Sequence, residues 1–338
     1  MTQMAVVTRR NLTLECFRIL GAVFIVFLHV PFPGAFGAVV ACLSRFAVPM
    51  FFAISGWYSY QVKPGKLLKR TKSVLLLELL GILLYLIWKC LEGSMEGIRI
   101  SDTLLWKIPD GGALKKWLVF QVDPFSGPLW YLSAAAVCYL VLAVYVRFRK
   151  EDYRLFYALS AVLLGCHFAM AELSGYTGLQ VEYTVYRNAW FFGIPMFAMG
   201  LWLRQYRQKI QWNPLWLLLS GIVLSLWEYH LFGGYDLPLG AVVQAAALLL
   251  LAQRYPDLPE KNRLLRNVAP VFGFVSTAVY VLHLIVYDIY ATFAAWHLEG
   301  KLGNAEDWFA PVLVAGVSIL VSVLAYWAKK AWKSCISR

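Results

Sequence analysis

Hydrophobic and polar positions fall into long blocks along this chain. Ten apolar runs, at about 12–31, 36–60, 73–92, 129–146, 155–173, 188–203, 214–232, 239–253, 268–293 and 310–328, are separated by short polar or basic stretches. A helix needs about 20 apolar residues to cross the hydrocarbon of a bilayer. The blocks therefore predict an all-α polytopic membrane protein with about ten transmembrane helices. The segment 93–128 departs from the pattern. It contains Gly111-Gly112 and the amphipathic piece ALKKWLVFQV, which is expected to lie in the interface or re-enter the membrane. The spans use up nearly all of the 338 residues, so one membrane-embedded domain, 1–338, is expected and no sizeable soluble domain.

Composition agrees: 60% of residues are apolar, 15% are charged and mean hydropathy is +0.62. The net charge of +12 has a pattern that favours loop topology over nucleic-acid binding. Of the 31 Lys and Arg, 22 lie in the N-terminal lead, in the stretches after spans two, four, six and eight, and in the tail. Six lie on the opposite side, and Arg18, Arg45 and Lys89 fall within spans. This asymmetry places both termini in the cytoplasm. The first apolar run has no small-residue cleavage site and reads as a retained span. The six cysteines form no C-x-x-C pair and read as small buried hydrophobes.

Span one changes the picture from topology to chemistry. LTLECFRILGAVFIVFLHV (Leu12 to Val30) carries Glu15, Arg18 and His29. Ionisable residues within a span are costly and mark candidate functional sites. Arg18 and His29 are eleven residues apart, which at about 100° per residue is three turns and roughly 20° more. Both lie on one face, separated by roughly 16 Å of depth. Glu15, three before Arg18, shares that side. This wall reads as the lining of a reaction tunnel with Arg18 towards the cytoplasm and His29 in the outer half. The plainer alternatives are an interfacial histidine and a snorkelling Arg18 paired with Glu15.

Span one resembles the first helix of the acyltransferase family 3 membrane proteins, whose hallmark is an Arg, ten residues and a His, often with an acid three before the Arg. Four further stretches are similar to family segments and occur in family order: RFAVPMFFAISGWY (Arg45 to Tyr58), GPLWYL (Gly127 to Leu132), RNAWFFGIPMFAMG (Arg187 to Gly200) and STAVYVLHLIVYD (Ser276 to Asp288). The resemblance implies a bacterial-type plasma-membrane enzyme of ten helices. Such enzymes move an acyl group, usually acetyl, from cytoplasmic acyl-CoA to a hydroxyl or amine of a cell-envelope glycan or related acceptor. The same architecture forms the membrane part of vancomycin-resistance serine racemases, where it implies import of L-serine or a similar amino acid. That is the alternative function, and it leaves room for a fused soluble domain in a longer form or for homo-oligomers.

On this resemblance His29 is the general base, with Arg18 and its partner Glu15 beside it in the tunnel. The family's Arg-x-x-Arg, linked to the CoA phosphates, is replaced by Lys66-x-x-Lys69 and Lys69-Arg70-x-Lys72. Lysine binds phosphate as a point charge without the bidentate fork of arginine. Lys66, Lys69, Arg70 and Lys72 are thus donor-site candidates, against a topological and lipid-binding alternative. Ser55, beside Gly56 at a close helix approach, is a further donor-site candidate with helix packing as the alternative, and the resemblance makes Arg45, Trp130, Arg187, Asn188 and His283 acceptor-site candidates. Arg45 otherwise reads as an interfacial anchor, Trp130 as a belt aromatic and Asn188 as a cap. No metal is expected, since H-E-x-x-H and clustered Cys/His ligand spacings are missing from the sequence.

Overall fold

A computed structural model describes residues 11–177, 181–233, 236–297 and 305–336. Every regular element among the described residues is helical. Eight segments are long and apolar enough to cross a membrane. In the two remaining apolar runs lie a π-helical turn (Ala189–Gly193) leading into α10 (Ile194–Tyr206), and the shorter apolar helix α12 (Leu239–Arg254).

The first helix, α1 (Leu12–His29), opens on Asn11, whose side chain accepts from the Leu14 N–H. It stops at His29, before Pro31 and Pro33. The second span is not one helix. It divides into α2 (Gly34–Ser44) and α3 (Ala47–Trp57), with Arg45 and Phe46 in the turn between them. Pro49 supplies the reason. It has no N–H to give the carbonyl of Arg45 four residues earlier, and its ring crowds that carbonyl. The span expected at about 36–60 is present over Gly34–Trp57, built of two helices, and Arg45 sits at a mid-span break.

The stretch Lys63 to Lys72, expected as a loop, is also corrected. Pro64 takes the first position of α4 (Pro64–Met95), and the Lys, Leu and Arg that follow are good helix formers. The basic cluster is therefore the projecting first turns of a long helix. Beyond α4 lie α5 (Ile100–Lys107) and α6 (Gly111–Phe120), the latter capped by Asp110. A 3-10 turn (Gly127–Leu129) leads into α7 (Trp130–Arg149). The remaining long helices are α8 (Arg154–Thr177), α11 (Pro214–Phe232), α13 (Arg263–His297) and α14 (Ala305–Ile336), with a single turn, α9 (Tyr183–Tyr186), after α8.

Hydrogen bonds between connecting segments sort them onto two faces. On one, Asn11 and Thr13 bond the carbonyls of Ala252 and Tyr255, Gln61 meets Tyr153 and Glu151, and Tyr157 meets Gln205. These are the basic connections, gathered on the side that the charge asymmetry assigns to the cytoplasm. On the other, Lys116 pairs with Glu182, and Trp190 donates to the Val119 carbonyl.

Close packing positions the helices around α1, which touches α2, α3, α12, α13 and α14. The crossing of α3 and α10 is tightest. A Cβ on Gly56 would overlap the Phe197 carbonyl, and one on Gly200 would overlap the Ala53 carbonyl. Small residues allow such an approach. Gly56→Ala is expected to cost about 1–3 kcal/mol, as inserted methyls do in tight packing. A lowered thermal unfolding midpoint of the detergent-solubilised protein checks it; an unchanged midpoint would mean that the crossing relaxes freely.

Candidate active site

His29 lies in the wall of a cavity of about 170 Å3, whose lining includes Arg45, Trp130, Tyr131, Arg187 and Tyr280. Each comes from a different device. His29 is the last residue of α1, and Arg45 hangs from the α2–α3 break. Trp130 and Tyr131 are presented by the turn before α7. There, the buried Asp123 accepts the N–H groups of Phe125 and Ser126 at 2.8 and 2.9 Å, folding the chain back into the 3-10 turn. Burial holds the Asp123 carboxyl above the usual carboxylate range, although the two N–H bonds act in the opposite sense. Tyr280, from α13, donates its hydroxyl to the Pro128 carbonyl and pins that turn.

The two guanidiniums share one carboxylate. Arg45 Nη1 lies 2.9 Å from Asp236 Oδ1, and Arg187 Nε lies 3.3 Å from Asp236 Oδ2. Arg187 also stacks over Trp130, its Cζ 4.9 Å from the ring centre. Two cations and one anion leave the outer part of the site net positive. Asp236 was not among the sequence candidates. Its one signal is that it is the single acid between Glu228 and Asp257.

Further polar side chains lie towards the basic face. Arg18 Nη1 lies 3.6 Å from Glu15 Oε2. Nearer the basic face, Arg70 Nη1 donates to the Tyr58 carbonyl and to Ser59 Oγ, each at 2.9 Å, with its Cζ 5.9 Å from the Tyr139 ring centre. Lys66, Lys69 and Lys72 are exposed on the same helix.

A contact between two histidines joins helices far apart in sequence. The rings of His29 and His283 have centres 5.1 Å apart. Asp288, on the same helix as His283, pairs instead with Lys89 at 2.9 Å. Asn188 takes a different place from its acceptor-site candidacy. It is fully buried; its oxygen accepts from the N–H groups of Trp190 and Phe191, and its amide donates to the Thr184 and Val185 carbonyls. With both ends of the amide spent on backbone, Asn188 is the cap of the π-helical turn, and its acceptor-binding role is withdrawn on that ground. Two other polar groups are likewise structural. Glu78 is buried and accepts from Ser133 and Trp117, and Glu228 accepts from the N–H groups that open α12.

These features define a multi-pass, all-helical membrane protein with an imidazole and two guanidiniums in one intramembrane cavity. The chain belongs to the acyltransferase family 3: the family model described as an acyltransferase domain matches residues 11–327. No curated protein and no solved structure matches the chain.

Proposed function

We propose that this acyltransferase moves an acetyl (or other acyl) group from cytoplasmic acyl-CoA to a hydroxyl or amine of a cell-envelope glycan or related acceptor, in a bacterial plasma membrane. The observation that carries the reading is the placing of His29 beside Arg45 and Arg187 in one cavity.

In this mechanism the thioester arm of the donor follows the wall formed by Arg18, Ser55, Tyr131 and Tyr139. His29 takes the proton of the acceptor hydroxyl as its oxygen attacks the thioester carbonyl. The C–O bond forms, and the oxyanion of the tetrahedral intermediate faces the guanidiniums of Arg45 and Arg187. Collapse breaks the C–S bond, and the His29 imidazolium returns the proton to the CoA thiolate. Trp130 and Arg187 form the acceptor wall. Arg70, with Lys66, Lys69 and Lys72 beside it, meets the donor phosphates.

The test is release of CoA thiol from acetyl-CoA by purified protein in liposomes with cell-envelope glycan acceptors. Turnover that depends on acceptor supports the reading. No turnover with any acceptor, and no stabilisation of the protein by CoA, would overturn it, and uptake of serine would then be measured. The exposed lysines carry their own prediction. The Lys66→Ala, Lys69→Ala, Lys72→Ala triple variant is expected to raise KM for acetyl-CoA about tenfold at low salt and less at high salt, with kcat unchanged. An unchanged KM at low salt would assign those lysines to topology alone.

A further inference from the structure

The backbone of α13 dictates which nitrogen of His283 carries a proton. His283 is fully buried, and its Nδ1 lies 2.8 Å from the Tyr280 carbonyl oxygen and 3.2 Å from that of Val279. A carbonyl oxygen only accepts, so the proton is on Nδ1. In the neutral ring the lone pair is then on Nε2. That atom is buried and has no hydrogen-bond partner among the described residues. A buried acceptor without a donor is costly and points to one nearby.

The donor within reach is His29. An imidazole nitrogen lies about 1.1 Å from its ring centre, so two rings joined by an N–H···N bond of about 2.9 Å sit about 5 Å apart. The observed separation is 5.1 Å, with the planes inclined by 43°. The bond is not closed here, and forming it requires the His29 ring to turn; catalytic hydrogen bonds commonly tighten only when substrate binds. Few of the side chains around His29 can take its N–H. Arg45, Arg187 and Trp130 only donate. The hydroxyl of Tyr280 is turned to the Pro128 carbonyl, to which it donates. Ile25, Leu28 and Val48 offer no polar side-chain atom.

We propose that His283 is the positioning residue of His29: its bare Nε2 accepts the ring N–H of His29 and leaves the lone pair of His29 aimed into the cavity. The inference rests on the reading of His29 as the base. His283 takes the place that a carboxylate holds in hydrolytic triads, but orients the base without adding a charge. The proton that His29 removes from the acceptor arrives on its cavity-facing nitrogen and leaves from there to the CoA sulfur. The opposite N–H stays shared with His283 throughout, so His283 ends the cycle unchanged.

Two measurements test it. The first is nitrogen-15 magnetic resonance of the full-length protein with labelled histidine in lipid nanodiscs, the five histidines assigned by single variants. His283 is expected as the Nδ1–H tautomer, and His29 as a single tautomer that becomes a mixture in His283→Phe. The second is acetyl transfer. His283→Phe is expected to lower kcat about 100-fold with KM for acetyl-CoA unchanged, whereas His283→Gln, whose amide oxygen can accept in place of Nε2, restores most of the loss. A proton on His283 Nε2, an unaltered His29 tautomer in His283→Phe, or equal kcat in the Phe and Gln variants would overturn the pairing. If His283→Phe does not fold, the wild-type tautomers and the Gln variant still decide. Loss of turnover in His29→Ala without any effect of His283→Phe removes the pairing and keeps the acyltransferase reading. The expected tautomers in a protein that releases no CoA keep the pairing and remove that reading.

Discussion

His29→Ala is expected to abolish acceptor-dependent CoA release, lowering kcat by roughly 1,000-fold or more, near the upper range for loss of a positioned general base. The size of the effect follows from the surroundings. The other titratable side chains lining the cavity are two arginines and two tyrosines. Arginine stays protonated near neutral pH and cannot accept the proton. A tyrosine hydroxyl is protonated near neutral pH and is a poor base, and that of Tyr280 already donates to the Pro128 carbonyl. No neighbour in that lining can substitute for the imidazole. KM for acetyl-CoA is expected to stay near its wild-type value, because in the proposed mechanism the donor's charged end meets Arg70 and the lysines of α4. Retention of more than a tenth of wild-type kcat would place the base elsewhere. A large rise in KM with kcat preserved would make His29 a binding group.

Asp236→Ala is expected to destabilise the protein by about 3 kcal/mol, the low end of the cost of breaking a buried ion pair. The low end applies because the side chains of Arg45 and Arg187 keep 30% and 26% exposure, so water screens part of the repulsion left behind. The loss has two sources: Arg45 loses the anchor that ties the α2–α3 break to the segment before α12, and two like charges remain beside one cavity. Combining Asp236→Ala with Arg45→Leu should recover part of the stability by removing one unpaired cation. Reversible unfolding in detergent, read for both variants, checks this. A single variant within about 0.5 kcal/mol of wild type, as for an ordinary surface change, would mean that the shared carboxylate is not a structural tie.

Much of the architecture was legible from the order of residues alone. Hydrophobic runs mark spans because a helix in lipid must satisfy its own backbone and present apolar side chains, a requirement that neighbours along the chain meet by themselves. The Arg18–His29 stripe was legible for the same reason, since both residues belong to one helix and helical phase is arithmetic. Where local signals conflicted, the reading was coarser than the structure. Arg45 lies in a strongly apolar run, so hydropathy marked the span but not that two helices make it up, although Pro49 marked the break. The lysines after Pro64 read as a loop because they are charged, while their helix propensity pointed the other way.

The site itself was settled by tertiary structure. Arg45 and Asp236 are 191 residues apart, and Lys89 and Asp288 are 199 apart. No periodicity along the chain relates such pairs, nor the rings of His29 and His283. They meet because Gly56 and Gly200 let α3 and α10 touch backbone to backbone, because Tyr280 pins the turn that presents Trp130, and because α13 packs along α1. The sequence by itself determined that the chain spans the membrane many times and carries an imidazole and a guanidinium on one wall. Which remote groups face that wall only the packing of helices decided, because contacts between helices depend on side-chain volume and close approach across the whole bundle rather than on spacing within any one of them.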